Sequence, residues 1–545
     1  MKEALYRLIR HLSVETVLVA LFGLSFFIGI WYALPMVNTV TDVWAFGGGV
    51  LRAMEDHSLL PGYGVAYGTL SFYQNYIAMV VVLLFALPFF GFNFAALKTA
   101  LILNPSYTLL VPRMVSAVTA VVFLGVVYHF LKREVPSVSW RVALLVLAFG
   151  NVLATILVRS GKMWILSTTL CIVSFIYAYR AITEEAPKGK PGVFSVVSIF
   201  SAFLAAANFA FAGLFLINLP IFIYVFPKTR EVFIRLATAV AGGVALFVAI
   251  SALNAANVIE QVSAFAGSLL GTPGNIGNGV TMLSFTEAFA VNARQAIEAF
   301  PLLLVALVVV AWYGVRNKTL ALLAALYAVL YMLALSAVFR VDDGVALNIR
   351  HVFPVGFFLM CILASCRPPA RFISYVFATV GLVVYVYSVM LLSFPTTYNR
   401  MLDHVVSRYS DAHIRIDESV FELTLPMNKE SYLLHGTSSC GSACTHALAL
   451  PRDIAFSPIV VTHDADPERV ALIPHPDLFI SSSGIDGCTP LARFGNEVSD
   501  DAVFDIDINL GRMLMPEFYG LRMLGKNLYL YDAHSCTPPP YAVRQ

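Results

Sequence analysis

The 545-residue chain predicts a polytopic α-helical membrane protein with one soluble domain at its C-terminal end, and three observations carry that reading. Apolar stretches of membrane-spanning length recur from residue 1 to about 395. Val14 to Leu34, Leu70 to Phe92 and Phe372 to Leu392 each meet the roughly 20 residues that a ~30 Å hydrocarbon core requires of a helix. Composition agrees, with 59% of residues hydrophobic and 12% charged, far from the roughly 25% charged residues of an ordinary soluble domain. Charge is also unevenly divided: residues 1–395 hold 24 basic and 14 acidic side chains, whereas 396–545 hold 11 and 19. The two parts carry +10 and −8. An acidic tail argues against a nucleic-acid-binding module.

The first apolar segment follows Lys2, Arg7 and Arg10, like a signal peptide. Its apolar run exceeds the ~7–15 residues of a signal's core, and no small-residue cleavage site follows Leu34-Pro35. It reads as a retained anchor with a cytoplasmic N-terminus. Basic residues in short loops mark the cytoplasmic side, which assigns Lys132-Arg133, Arg180 with Lys188 and Lys190, Lys228-Arg230-Arg235, Arg316-Lys318 and Arg367-Arg371 inside. The alternate connections then lie outside: Met36 to Thr69, Arg159 to Met163, a tight turn at Asn208, Val258 to Glu287, Arg340 to Arg350, and everything after Phe394. Placing both Met36–Thr69 and Arg113 outside requires two crossings between Leu70 and Val111, with Phe94 to Leu110 as a short crossing or a re-entrant piece. The expected count is about 13 transmembrane helices in a multi-pass protein of the cell membrane.

Residues 396–545 form the expected extracytoplasmic domain. Cys171, Cys361 and Cys366 sit in apolar spans, whereas Cys440, Cys444, Cys488 and Cys536 all fall in the tail. Four cysteines on the exported side suggest two disulfides of open connectivity, with a zinc site at Cys440 and Cys444 as the rival reading. Short apolar runs at Ile459 to Val461, Val470 to Ile473, Leu478 to Ile480 and Leu528 to Leu530 alternate with turn residues, the pattern of a mixed α/β domain. Pro476 to Ser483 reads as a strand edge followed by a turn.

The outer loops hold the residues suited to chemistry. After Asp42 the positions Val43, Phe46, Val50, Leu51 and Met54 recur at helical spacing, predicting an interfacial amphipathic helix with Asp42 near its start, either as an N-cap or as a base. Arg159 and Lys162 are cations on the side that the positive-inside rule disfavours, a position explained by a lipid phosphate or by snorkelling to headgroups. Arg350 and His351 directly precede another span, while Asp342 and Asp343 read as solvated loop charge. The loop containing Gly271 to Gly279 has the length and glycine content of a lid, yet no P-loop, Rossmann, Gly-x-Ser-x-Gly or His-Glu-x-x-His pattern occurs. One carboxylate with several cations at an outer membrane face suits sugar transfer from a polyprenyl phosphate. The departing phosphate needs no protonation, so one base and a positively charged clamp suffice.

The stretch Thr39-Val40-Thr41-Asp42-Val43, the Pro112-Arg113 opening of a span that ends at Lys132-Arg133, and Asn348-Ile349-Arg350-His351-Val352-Phe353-Pro354 resemble the GT-C glycosyltransferases. More narrowly, the chain is similar to the branch around protein O-mannosyltransferases and lipid A aminoarabinose transferases, in layout and short motifs over residues 1–395. The resemblance implies a GT-C-like membrane domain that moves a sugar from a polyprenyl-phosphate donor to a protein, lipid or glycan acceptor of the cell envelope. Asp42 would be the catalytic base, and Arg350, His351, Arg159, Lys162 and Arg113 the substrate-binding residues. Relatives often pair two acidic residues in the first outer loop and carry another in the second. Here Val43 follows Asp42 and Gly161-Lys162-Met163-Trp164 fills the second loop, which predicts metal-independent chemistry or at most a weakly held divalent cation. The Lys-Pro-Pro-like segment of some relatives is replaced by Ala66-Tyr67-Gly68-Thr69, so acceptor recognition differs from either branch. The tail is expected to bind acceptor or partner, or merely to cap the outer face. Competing expectations are a lipid or solute transporter or flippase, and an assembly protein that works through its tail.

Overall fold

The computed structural model describes residues 13–34, 46–55, 57–59, 68–103, 105–269, 281–339, 341–342, 349–409, 412–417, 420, 460–463, 476–495 and 527–536. Asp42, Asp343, the glycine-rich stretch 271–279, and Cys440 with Cys444 lie outside the described residues.

Polar caps and backbone breakers decide where the apolar segments start and stop. The helix α1 (Val14–Leu24) begins after Ser13, whose hydroxyl accepts the Thr16 backbone N–H. After α2 (Gly48–Glu55) and α3 (Thr69–Ala86) comes α4 (Phe94–Leu103). Ten residues of helix reach about 15 Å, half of a hydrocarbon core, so α4 is not a full crossing. The rest of the stretch expected to form one belongs to α5 (Pro105–Glu134), a 30-residue helix about 45 Å long. Between α6 (Val138–Phe149) and α7 (Val152–Arg159) the chain bends by 64°. Gly150 interrupts the first helix, and the Asn151 side chain restarts the second by accepting the Ala154 N–H.

The bundle continues through α8 (Trp164–Arg180), α9 (Val193–Asn208), α10 (Asn218–Val225), α11 (Arg230–Ser251) and α12 (Ala255–Leu269). A second bend, of 85°, separates α13 (Phe285–Ala299) from α14 (Pro301–Ala311). Pro301 has no N–H to continue the ladder and drives Phe300 out of helical geometry, to φ −128° and ψ 44°. The last helices of the bundle are α15 (Lys318–Val338), α16 (Phe353–Ser365) and α17 (Arg371–Ser393).

Six helical segments are long and apolar enough to cross a membrane, or eight if each bent pair is one span. Four further apolar helices run only 10–17 residues, so among the described residues the full-length spans fall short of thirteen. Their outward faces carry large apolar side chains, with Phe89 88% and Trp312 90% exposed, a surface that suits lipid rather than water. Inside, Phe26, Phe123, Phe149 and Phe357 stack and interlock at centroid distances of 4.6 to 6.0 Å. Gly381 lets α17 approach α6, since a Cβ there would lie 2.9 Å from Val146. Without a hydrophobic driving force between helices in lipid, such close contact is what holds them together.

The C-terminal domain begins with α18 (Thr397–Arg408), started by a capping box between Thr396 and Asn399. It packs on a five-stranded sheet of β3 (His413–Ile416), β4 (Val460–His463), β5 (Leu478–Ser481), β6 (Ala492–Phe494) and β7 (Leu528–Asp532), in the order β4-β3-β5-β7-β6. The strands β3, β4 and β5 run parallel, while β7 is antiparallel to both β5 and β6. The mixed sheet is as expected, but Leu478–Ser481 is its middle strand rather than an edge. Burial on both faces explains this: Leu478 and Ile480 meet Tyr398, Met401 and Val405 of α18, while Phe479 packs with Tyr531 and Cys536 on the opposite side. There Cys488 and Cys536 form a disulfide that closes a 48-residue separation.

Candidate functional site

The second loop is the hinge of the site. Its residues 159–164 join α7 to α8, and Gly161 makes the turn at φ +73°. A Cβ on Gly161 would lie 3.1 Å from the Arg113 backbone nitrogen, so the loop seats directly on α5. Ser116 donates from Oγ to the Lys162 carbonyl at 3.3 Å, and the Lys162 N–H donates to Ser160 Oγ at 3.2 Å. Lys162, an expected loop cation, is thereby buried rather than solvated.

Asn208 holds three helix ends together at this point. Its side-chain N–H group donates to the Met163 carbonyl and to Ser167 Oγ, at 3.3 and 2.8 Å. Its Oδ1 accepts the Ser71 N–H at 2.8 Å, and its backbone carbonyl accepts the Gly68 N–H at 2.7 Å. Gly68 has φ +81°, and a Cβ there would be 2.8 Å from the Phe46 ring. The start of α3, the start of α8 and the end of α9 are thus fixed by one buried amide.

Above this frame lies an aromatic nest. The Arg350 guanidinium sits 4.9 Å from the Trp164 ring centroid, within reach of a cation–π attraction. His351 meets the edge of Trp164 at 5.2 Å and stacks on Phe339 at 4.5 Å and on Phe209 at 6.4 Å. Tyr331 donates its hydroxyl to the His351 carbonyl at 2.9 Å, which fixes the turn that presents both residues. Arg350 and His351 are 4% and 5% exposed, so this is charge and imidazole inside the protein. A two-residue ribbon, β1 (Thr281–Met282) with β2 (Val341–Asp342), ties the feet of the two long loops together, pairing Thr281 with Asp342.

The remaining predicted cations have other partners. Arg159 donates from Nε to the Ile28 carbonyl at 2.5 Å, from Nη1 to Thr155 at 2.9 Å, and from Nη2 to the Ser25 carbonyl and Tyr385 Oη at 2.9 and 3.1 Å. Arg113 donates from Nη1 to the carbonyls of Ile30 and Tyr32. Both guanidiniums clamp the 3-10 and turn segment that follows α1 onto α5 and α7. The turn 159–164 therefore brings Arg113, Lys162, Arg350 and His351 to one end of the bundle, while Arg159 points back into its packing.

The C-terminal domain sits at this same end. Asn399 of α18 donates to the Leu34 carbonyl at 2.8 Å, two residues beyond the Tyr32 carbonyl that Arg113 holds. Sequence reasoning missed Trp164, Phe209, Phe339 and the hub role of Asn208. Their only signal was a run of aromatic and amide residues in loops flanked by apolar spans. Among the described residues no group of three or more His, Cys, Asp or Glu side chains is arranged to hold a metal ion. No family model, curated protein or solved structure matches the chain.

Proposed function

We propose that the protein is a membrane glycosyltransferase of the GT-C type, moving a sugar from a polyprenyl-phosphate donor to an acceptor outside the cytoplasm. The observation that carries this reading is the buried Arg350 and His351 pair, walled by Trp164, Phe209 and Phe339, at the end of the bundle where the C-terminal domain docks. A guanidinium in a water-poor aromatic setting attracts phosphate more strongly than one in solvent, and its planar fork matches two phosphate oxygens. His351 adds a second donor, and buried Lys162 adds positive charge from the neighbouring turn. Arg113 and Arg159 act through the fold, by holding the first span that leads into the loop of Asp42. In this reading Asp42 takes the proton from the acceptor hydroxyl as the phosphate departs. Eight long or bent spans, four short apolar helices and one further short crossing make up the thirteen, with the N-terminus cytoplasmic and residues 396–545 outside, and the C-terminal domain helps bind the acceptor. The reaction requires no resident metal, or only a weakly held divalent cation.

The test is release of free polyprenyl phosphate from a panel of polyprenyl-phosphate sugars by purified protein with cell-envelope acceptors. The wild type should turn over at least one donor. Asp42→Asn should lower the rate by about two orders of magnitude or more, the scale of general-base catalysis. Arg350→Ala should lower it by roughly ten- to a thousandfold, as expected when a transition-state charge contact is removed. Absence of turnover with every donor, in folded protein, would overturn the reading. A lipid or solute transporter is the second reading, favoured by the two bent helix pairs, since broken helices are common at transport sites. Movement of donor lipid across reconstituted vesicles without phosphate release would support it instead.

A further inference from the structure

The opposite end of the bundle holds a second site, independent of the proposed transferase chemistry. Here α5 ends and α8 ends, and between them lies a cavity of about 340 Å³. Its lining changes along its length. Gly125 and Val126 form an apolar floor, and His129, Arg133, Tyr177 and Arg180 form a polar rim one to two helical turns further on. Gly125 is exposed, and a Cβ at this position would meet no atom within 4 Å, so the glycine leaves the groove open to the outside of the bundle. Val122, one turn earlier, is 58% exposed on the same outward surface.

The cavity lining carries two guanidiniums, Arg133 and Arg180, against one carboxylate, Glu134. Arg133 donates from Nη1 to Glu184 Oε1 at 2.5 Å, and Arg180 donates from Nε to that same oxygen at 2.9 Å. One carboxylate oxygen thus serves two guanidiniums. Glu134 is the only other carboxylate on the rim among the described residues, and it is occupied elsewhere. Its Oε2 accepts from Tyr179 and Asn317 at 3.0 and 3.1 Å, and Arg133 Nε stands 3.7 Å from its Oε1. Arg316, behind the cavity lining, donates to the Glu134 carbonyl. The Arg180 guanidinium carbon lies 3.8 Å from the Phe194 ring centroid, a contact that orients it without using its Nη groups. Nη2 of Arg133 and both Nη groups of Arg180 have no acceptor among the described residues.

We propose that this groove binds an anionic phospholipid from the leaflet at the basic end, its phosphate bridging Arg133 and Arg180 and one acyl chain lying over Gly125 and Val126. The charge pattern selects the phosphate, and the apolar, outward-opening floor selects a lipid over a free anion. The volume suits a glycerophosphate with the first part of one chain, the remainder staying in the bilayer. By the positive-inside rule this is the cytoplasmic leaflet, whose surface is rich in anionic lipid.

The experiment uses full-length protein, delipidated in neutral detergent and titrated with phosphatidylglycerol or with phosphatidylcholine. Lipid adducts are counted by native mass spectrometry, and thermal midpoints are recorded in parallel. The wild type should retain one phosphatidylglycerol with at least tenfold preference over phosphatidylcholine, and its midpoint should rise with that lipid alone. Gly125→Phe fills the floor without touching the charges and favours helix, so it should fold as well as the wild type and lose the adduct. The double variant Arg133→Gln with Arg180→Gln should lose the preference between the two lipids. Should that variant fail to fold, Gly125→Phe decides the matter alone. Equal binding of both lipids by the wild type, an adduct that persists in Gly125→Phe, or displacement of the lipid by glycerol phosphate at equal concentration would each overturn the proposal.

Discussion

The two ends of the helical bundle partner their guanidiniums in different ways. At the end marked by Arg133, Arg141 and Arg180, guanidiniums meet carboxylates: buried Arg141 forms a two-pronged bond with Glu15 at 2.6 Å for each prong, whereas the more exposed Arg133 and Arg180 share one oxygen of Glu184 and keep further Nη donors without an acceptor among the described residues. At the end where Arg350 lies, Arg113 and Arg159 meet backbone carbonyls and a phenol, with no carboxylate partner among the described residues. Carbonyl dipoles satisfy a guanidinium's donors but leave its charge uncancelled. That end therefore keeps a positive potential inside low-dielectric surroundings, which favours an anion nearby. The difference teaches that burial alone does not identify a ligand-binding cation. What faces each nitrogen decides whether the residue cements helices or attracts a substrate.

Substitutions can break this contrast, the largest effect coming from outside the bundle. Cys488→Ser should lower the stability of the C-terminal domain by about 4 kcal/mol, because the lost bridge closes a 48-residue separation, and proteolysis of that domain would report it. The bundle should stay folded, since its ends are held by contacts of their own. Next, Glu15→Gln leaves Arg141 buried beside an uncharged amide and should cost roughly 3 kcal/mol or more, read from denaturant unfolding in micelles. Arg159→Met removes donors from the Ser25, Ile28 and Thr155 carbonyls and should cost about 2–3 kcal/mol, while turnover per folded molecule changes little. A turnover loss larger than the folding loss would instead place Arg159 among the donor contacts. Arg235→Gln, which removes an exposed pair with Glu231, should change stability by less than about 0.5 kcal/mol.

A pH effect of still smaller size belongs to the tail. The Asp532 carboxylate is held below the ordinary carboxylate range, first by the backbone N–H of His534. A depressed folded-state value means that its contribution is complete above the unfolded pKa of ~3.9 and is lost as pH falls through the folded value. Acid unfolding of the isolated signal from this domain should therefore shift to slightly higher pH in Asp532→Asn, which no longer gains from ionisation.

Much of the helical layout was legible because it depends on local chemistry. The apolar runs Leu70 to Phe92 and Phe372 to Leu392 correspond to spans within Thr69–Phe90 and Arg371–Arg408, whereas the bends at Gly150-Asn151 and at Pro301 were not read from the sequence. The number of full crossings was not legible, because apolar composition does not reveal that Leu103 ends one helix and Pro105 begins the next. The middle position of Leu478–Ser481 was hidden for a related reason: its partner Leu528–Asp532 lies about 50 residues away in the chain. The site was half legible. Arg350, His351 and Lys162 stand out as cations beside apolar spans, yet the rings that surround them come from three other segments. Arg159 looked equivalent to them because its partners Ser25, Ile28 and Tyr385 are each more than 100 residues distant. Distant pairing, rather than residue type, separates the clamp from the candidate site.

The central claim, that the Arg350 nest holds the phosphate of a prenyl lipid, is tested most directly by equilibrium binding of farnesyl phosphate and farnesol to wild type and to Arg350→Ala. The wild type is predicted to prefer the phosphate by at least tenfold, and Arg350→Ala to bind the two about equally while Arg159→Lys keeps the preference. Equal affinity of the wild type for alcohol and phosphate, or a preference undiminished in Arg350→Ala, would contradict the account.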